Sequence, residues 1–444
     1  MDVNISKRTR IAICLATFGL LSFGLLLRVY TTTPLARAVP ATLFVATDGS
    51  DALDCTSIAN RCQTVQRAVD LAEDGDTVKV ATGIYTDPDT GSVGYVVELT
   101  ETITLQGGYD ATFSDPPDPG ANPTTLNADR AGRVVHVTAG APTIQGFIIT
   151  GGHGCYSGGG IVVESASPTI QYNEIVDNLA DGDGGAIFVN GGKVQILNNV
   201  IISNTATWAG GLRIINDADA TIVGNEIVSN TAQNSGGGID LECCGGVTPL
   251  IARNFIAHND GGSEGGGIRI STARALLVNN ILAHNEASHG AGVHLDGMLT
   301  YPVSTTLLHN TLVDDSAGSE ALWAGDYITA TLVNNIVASH TTGITNTAPA
   351  SSVVTADYTL FHDNGTDYGS DVTSSNEVGG VPAFMSPATG DYHVGPGSGA
   401  IDTATSTDVD EDIETDRRPI GPAPDVGADE ARLRVYVPLV LKQY

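Results

Sequence analysis

One hexapeptide recurs through the middle of the chain and leaves few folds open. It reads NEIVDN from Asn173, NVIISN from Asn199, NEIVSN from Asn225, NFIAHN from Asn254, NILAHN from Asn280 and NTLVDD from Asn310, then NIVASH from Asn335. The leading asparagines are 26, 26, 29, 26, 30 and 25 residues apart. A glycine-rich triplet keeps the same step, standing before Ile161, Ile187, Leu212, Ile239, Ile268 and Val293. After each triplet apolar residues alternate, as in Ile161/Val163, Leu212/Ile214 and Ile268/Ile270, which is the period of a strand and not of a helix. Internal repetition at a fixed step of this length signals a stack of coils, each burying what its neighbour leaves open.

Each unit holds two further short apolar segments, one before the Asn (Pro168–Ile170, Val194–Ile196, Thr221–Val223) and one after it (Glu174–Val176). Three strands per turn of roughly 25 residues, stacked at about 4.8 Å, predict an all-β, right-handed parallel β-helix of about ten coils. The Asn column, Asn173, Asn199, Asn225, Asn254, Asn280, Asn310 and Asn335, is expected at the bend between second and third strands. There it would adopt the left-handed conformation itself and bond amide to amide along the stack. Val65, Ala68, Val69 and Ala72 share one helical face, so a short helix is expected to plug the first coil.

These repeats resemble the PbH1-type right-handed β-helix proteins that share the pectin lyase-like fold, over residues 76–385. The stretches GDYHVGPGSGAID from Gly390 and DRRPIGPAPDVGADE from Asp416 resemble the choice-of-anchor Q region of secreted β-helix proteins. The organisation expected is a signal segment at 1–38, an N-terminal cap with a helix at 39–75, the β-helix at 76–385, a C-terminal cap at 386–434 and an apolar tail at 435–444. The signal segment rests on Lys7, Arg8 and Arg10 before an uncharged apolar run from Ile11 to Leu27, with Ala36-Arg37-Ala38 as the cleavage site. Left uncleaved, the same run would serve as an anchor. Either way the remainder is expected to be secreted or held at the cell surface.

The chain carries 50 acidic against 20 basic residues, a formal charge of −30. Loss of the first 38 residues removes five basic groups and Asp2, so the mature chain is more acidic still. Such a surface excludes nucleic acid, whose phosphates need Lys and Arg, and no membrane span is expected in the mature chain unless the signal segment is retained as an anchor. Cys55 and Cys62 flank a short polar loop that suits a disulfide in an oxidising compartment. Cys155, Cys243 and Cys244 are left without an assigned pairing.

Outward positions of the first strand define two columns. One runs Val162, Phe188, Arg213, Asp240, Arg269, His294, and the next Glu164, Asn190, Ile215, Glu242, Ser271, Asp296. Loops before this strand add His153, Tyr156, Asp181, Asp183, Trp208, Glu264, Glu286 and His289. As the resemblance to β-helix lyases implies, Asp240, Glu242 and Asp296 would hold calcium against a uronate, and Arg213 or Arg269 would remove a proton. Glu242, His294, Asp296, Trp208, Asp181 and Asp183 would bind the glycan, with Trp323 a further platform. Two carboxylates separated by coils would instead serve an inverting hydrolase. The plainer expectation is a solvated ladder of charge pairs. Asp408, Asp410, Asp412 and Glu414 crowd together but lack the Gly and Glu positions of an EF-hand, where Ile413 and Pro419 stand. The function expected is a non-catalytic carbohydrate-binding or adhesion module for an extracellular glycan or envelope component, with a polysaccharide lyase or hydrolase as the rival.

Overall fold

The computed structural model describes residues 39–86, 94–242, 246–314, 320–369 and 371–432. The signal segment, Cys14, the Cys243-Cys244 pair and the tail from 435 lie outside the described residues. Three long parallel sheets form the walls of a solenoid of about eleven turns. Sheet 1, the strands that follow the glycine triplets, has 11 strands from Gly94–Leu99 to Thr366–Tyr368. Sheet 2 has 13, from Thr42–Val45 to Val372–Ser375, and sheet 3 has 11, from Gly83–Tyr85 to Leu360–His362. The expected right-handed parallel β-helix is the fold.

Like stacks on like inside the tube. Ile161, Ile187, Leu212, Ile239, Ile268 and Val293 pair in register in sheet 1 and are fully buried. Ile170, Ile196, Ile222, Ile251 and Leu277 do the same in sheet 2. Each such side chain contributes about 1.5–3 kcal/mol by leaving water. Period-two alternation in every strand thus delivers one continuous core.

The Asn column stacks, but by another device than the one expected. The left-handed residue is the one before each ladder position: Tyr172, Asn198, Gly224, Arg253, Asn279, His309 and Asn334 have positive φ. The ladder asparagines turn inward and are buried. Asn199 Oδ1 accepts from Asn173 N at 3.0 Å and Nδ2 at 3.1 Å, while Asn199 Nδ2 donates to Ile170 O at 2.9 Å. Their amides satisfy backbone groups that the bend strips of strand partners. A second ladder lies five residues on, where Asn178, Asn204, Asn230, Asn259 and Asn285 repeat the same bonds at 3.0 Å from each amide to the next.

The helix Val65–Leu71 closes the first coil, its Val65, Ala68 and Val69 buried and Ala72 buried at its end. Thr64 caps it by accepting from Arg67 N. Gln66 stands in for a missing strand: its amide oxygen accepts from Glu98 N at 2.6 Å and its nitrogen donates to Glu98 O at 3.4 Å. The first strand of sheet 1 is therefore not left as an open edge. Cys55 and Cys62 form the disulfide beside this cap.

The C-terminal region departs from expectation. In place of a lid on the last coil, the described part of 386–434 lies along the outer face of sheet 3. Tyr392, Val394, Ala400, Val426 and Ala428 pack on Ala257, Ile281, Ala283, Val313, Ile336 and Leu360. Gly427 N donates to Asn334 O, and Thr311 Oγ1 accepts from Ala428 N. Gly427 holds φ +98°, a conformation L side chains rarely adopt, and a Cβ there would also crowd Ile336 Cδ1 at 2.6 Å, so glycine suits this close approach. The physical reason is apolar: from Phe255 onward most outward residues of sheet 3 are hydrophobic and must be covered, while Thr311 among them bonds the covering segment.

Candidate functional site

Strand register places the first-strand columns as the repeat implied. Val162, Phe188, Arg213, Asp240, Arg269 and His294 are successive partners, followed by Trp323. Glu164, Asn190, Ile215, Glu242, Ser271 and Asp296 form the neighbouring column.

The first column is not a solvated ladder. Before each triplet the chain forms a fourth, four-stranded parallel sheet: His153–Gly154, Leu179–Asp183, Thr205–Trp208 and Thr231–Ser235. Its edge continues as a stack of Asp183, Trp208, Ser235, Glu264 and His289 that runs over the outer face of sheet 1. Glycine permits this crossing, since Gly236 has φ +67° and a Cβ there would strike Asp240 Cβ at 2.5 Å.

Beneath the stack the charges close on one another. Asp240 is fully buried. Its Oδ2 lies 2.6 Å from Arg213 Nη1 and accepts from Ser235 Oγ at 2.9 Å, while Oδ1 lies 3.2 Å from Arg269 Nη1. Arg213 also engages Asp183 at 3.2 Å and Glu242; Arg269 reaches Glu264 at 2.9 Å. Burial pulls both guanidiniums down, yet the surrounding carboxylates win and hold each above its ordinary pKa. Neither arginine can serve as a base while so paired. Asp240, enclosed by two arginines and a serine, presents no oxygen to a surface calcium ion. Burial pushes the Asp183 and Asp296 carboxyls up, and lowers His294 to about 4. His294 stacks on Trp323 with ring centroids 4.4 Å apart.

The remaining expected groups are dispersed. His153 Nε2 lies 3.1 Å from Asp181 Oδ1, away from the arginines. Tyr156 is exposed, and Trp208 is 38% exposed on the overhanging stack. Asp412 is no calcium ligand: fully buried, it accepts backbone N–H groups of Glu414, Asp416 and Glu430.

A cavity of about 660 Å³ opens where the chain leaves sheet 1, lined by Asn216, Asp217, Thr272, Arg274, Tyr301 and Pro302 among others. Asn216 and Asp217 both hold positive φ just past the strand Leu212–Ile215. Tyr301 comes from an excursion between Asp296 and Val303 and is exposed, as are Met298 and Leu299. Sequence reasoning overlooked this site. The signal was the aromatic and apolar stretch MLTY in the turn between Asp296 and Val303.

The geometry defines a right-handed parallel β-helix. A family model described as the right-handed beta helix region matches residues 185–377. Among solved structures, the chain is similar to pectate lyase Pel9A, with a TM-score of 0.59, 13% identity, and coverage of 89% of this chain and 97% of that one. Weaker likenesses are to XylC in complex with xylose (TM-score 0.43, 9% identity, 88% and 99% covered) and to a rhamnogalacturonan lyase (0.40, 13%, 76% and 87%). At these identities the likeness is one of fold. No curated protein sequence matches the chain.

Proposed function

We propose that this protein is a non-catalytic glycan-binding module, exported and displayed at or beyond the cell surface. The observation that carries the reading is the closed ion network: Arg213 and Arg269 are engaged by Asp183, Asp240, Glu242 and Glu264, so neither arginine on this face is free to act as a lyase base. Binding chemistry is concentrated beside it. Tyr301 supplies an aromatic platform, and Asn216, Asp217 and Arg274 supply planar polar groups around one cavity, the combination that grips a sugar ring by stacking and hydroxyl bonding. Export is supported by Lys7, Arg8 and Arg10 ahead of Ile11–Leu27 and by the Cys55–Cys62 disulfide. The strongly acidic composition favours neutral glycans over uronates, unless calcium bridges the two.

The secreted chain is tested against neutral and uronate oligosaccharides, with and without Ca²⁺, reading both binding and products. Binding without products, weakened at least tenfold by Tyr301→Ala, is expected. Release of unsaturated or reducing-end products would overturn the reading in favour of a lyase or hydrolase.

A further inference from the structure

The C-terminal plate brings together side chains from three separate segments. His393 comes from the strand Asp391–Val394, Glu414 from the acidic loop, and Asp429 from the last described stretch. One ligand atom from each lies within 4.8 Å of the other two. His393 Nε2 is 2.7 Å from Glu414 Oε1, and its Nδ1 is 2.6 Å from Asp391 Oδ1. Asp429 is buried, and its Oδ2 accepts from Val394 N at 2.7 Å.

We propose that His393, Glu414 and Asp429 bind a divalent transition metal ion of the zinc class, which clasps the C-terminal plate together. One imidazole with two carboxylates is a mixed N/O donor set; such a set suits zinc, whereas calcium takes oxygen ligands alone. Asp391 completes the arrangement by accepting a hydrogen bond from Nδ1–H, which orients the ring and directs Nε2 toward the ion, as outer carboxylates do for metal-bound histidines. Ligand atoms on zinc at 2.0–2.2 Å stand about 3.3 Å apart, so the His393–Glu414 pair must open by roughly half an ångström. Both side chains are partly exposed, which leaves room for that movement, for entry of the ion and for a water as fourth ligand. Asp429, held by Val394 N, is the anchored member. Three ligands at sequence distances of 21 and 15 residues would tie the strand, the acidic loop and the terminal stretch at one point.

The untagged full chain, stripped with EDTA, is titrated calorimetrically with Zn²⁺, Mn²⁺ and Ca²⁺, and its unfolding temperature is followed. One Zn²⁺ per chain is expected, with micromolar or tighter affinity, no displacement by millimolar Ca²⁺, and a raised unfolding temperature. His393→Ala and Glu414→Gln should abolish the stoichiometric binding. Asp391→Asn, which keeps the shape of the outer partner, should weaken it 10- to 100-fold. Cys155→Ser, which removes the exposed free thiol, should leave it unchanged. Absence of stoichiometric Zn²⁺ binding, its survival at full affinity in His393→Ala, its loss in Cys155→Ser, or equal competition by Ca²⁺ would each overturn the assignment.

Discussion

Sheets 1 and 3 each have part of the outer face covered, and by opposite chemistries. Over sheet 1 the cover is local: segments just ahead of each strand fold across it, and charged side chains fill the space between, with Asp240 bracketed by Arg213 and Arg269. Over sheet 3 the cover comes from far along the chain, and the contact is apolar, with Val426 and Ala428 on Ile336 and Val313. The difference lies in what each surface would be without its cover. A charged column stripped of its loops returns to water at little cost, so the pairing there sets geometry more than it stabilises. An apolar face has no such refuge, and its cover is held on by hydrophobic burial.

Breaking the charged face by one member should give the largest effect. Asp240→Ala leaves two buried guanidiniums facing each other and should cost about 3–5 kcal/mol in urea unfolding. Replacing Arg213, Asp240 and Arg269 together by apolar residues of similar volume should be near neutral. A triple variant as damaged as the single one would show that the network stabilises this face outright. On the apolar face Ile336→Ala, at a fully buried position under Gly427, should cost about 3 kcal/mol. Because the contact spans distant parts of the chain, that loss should be accompanied by faster proteolysis in 386–432.

Much of this was legible in the sequence, and what was not has identifiable causes. Register was readable because a fixed step with period-two strands permits only one pairing, and the columns from Val162 to His294 followed from it. Burial of Arg213 and Asp240 was not, since it depends on the stacking of Trp208, Ser235 and Glu264, whose types share nothing a pattern could catch. The first Asn ladder was visible, but its left-handed residue was misplaced: positions 172, 198, 224, 253, 279, 309 and 334 hold Tyr, Asn, Gly, Arg, Asn, His and Asn. The second ladder stood in the same hexapeptides at Asn178, Asn204 and Asn230. The lateral position of the C-terminal plate was foreshadowed too. Outward positions change from Glu174 and Glu226 to Phe255, Ile281 and Ile336, which an uncovered strand would not tolerate in such number.

Acid should weaken both covers. Each cover buries a histidine: His294 under the loops, lowered to about 4 by burial, and His309 under the plate, lowered to about 3 by burial and the adjacent Arg418. A histidine whose folded pKa lies below its unfolded value near 6.5 binds fewer protons when folded, so its contribution is present above pH 6.5 and is lost as pH falls. Between pH 7 and pH 5 each should remove about 2 kcal/mol. Both losses stem from burial; Glu264 partly supports the charge on His294, whereas Arg418 further opposes that on His309. Stability against pH for His294→Gln and His309→Gln, each read as a difference from the unaltered chain, checks this. A variant whose stability falls between pH 7 and pH 5 as steeply as that of the unaltered chain would show that its cover does not hold the histidine neutral.

The smallest effect gives the control for all of these. Val200 and Ile336 belong to one outward column of sheet 3, joined through Glu226, Phe255, Ile281 and Thr311. The plate reaches Ile336 but not Val200, which is 36% exposed where Ile336 is fully buried. Backbone, strand and position being equivalent, Val200→Ala and Ile336→Ala differ chiefly in whether distant chain lies above. Val200→Ala should therefore cost less than about 0.5 kcal/mol. A cost approaching that at Ile336 would mean that strand packing, and not the plate, holds the outer face of sheet 3, and the contrast between local and distant cover would fail at its apolar end.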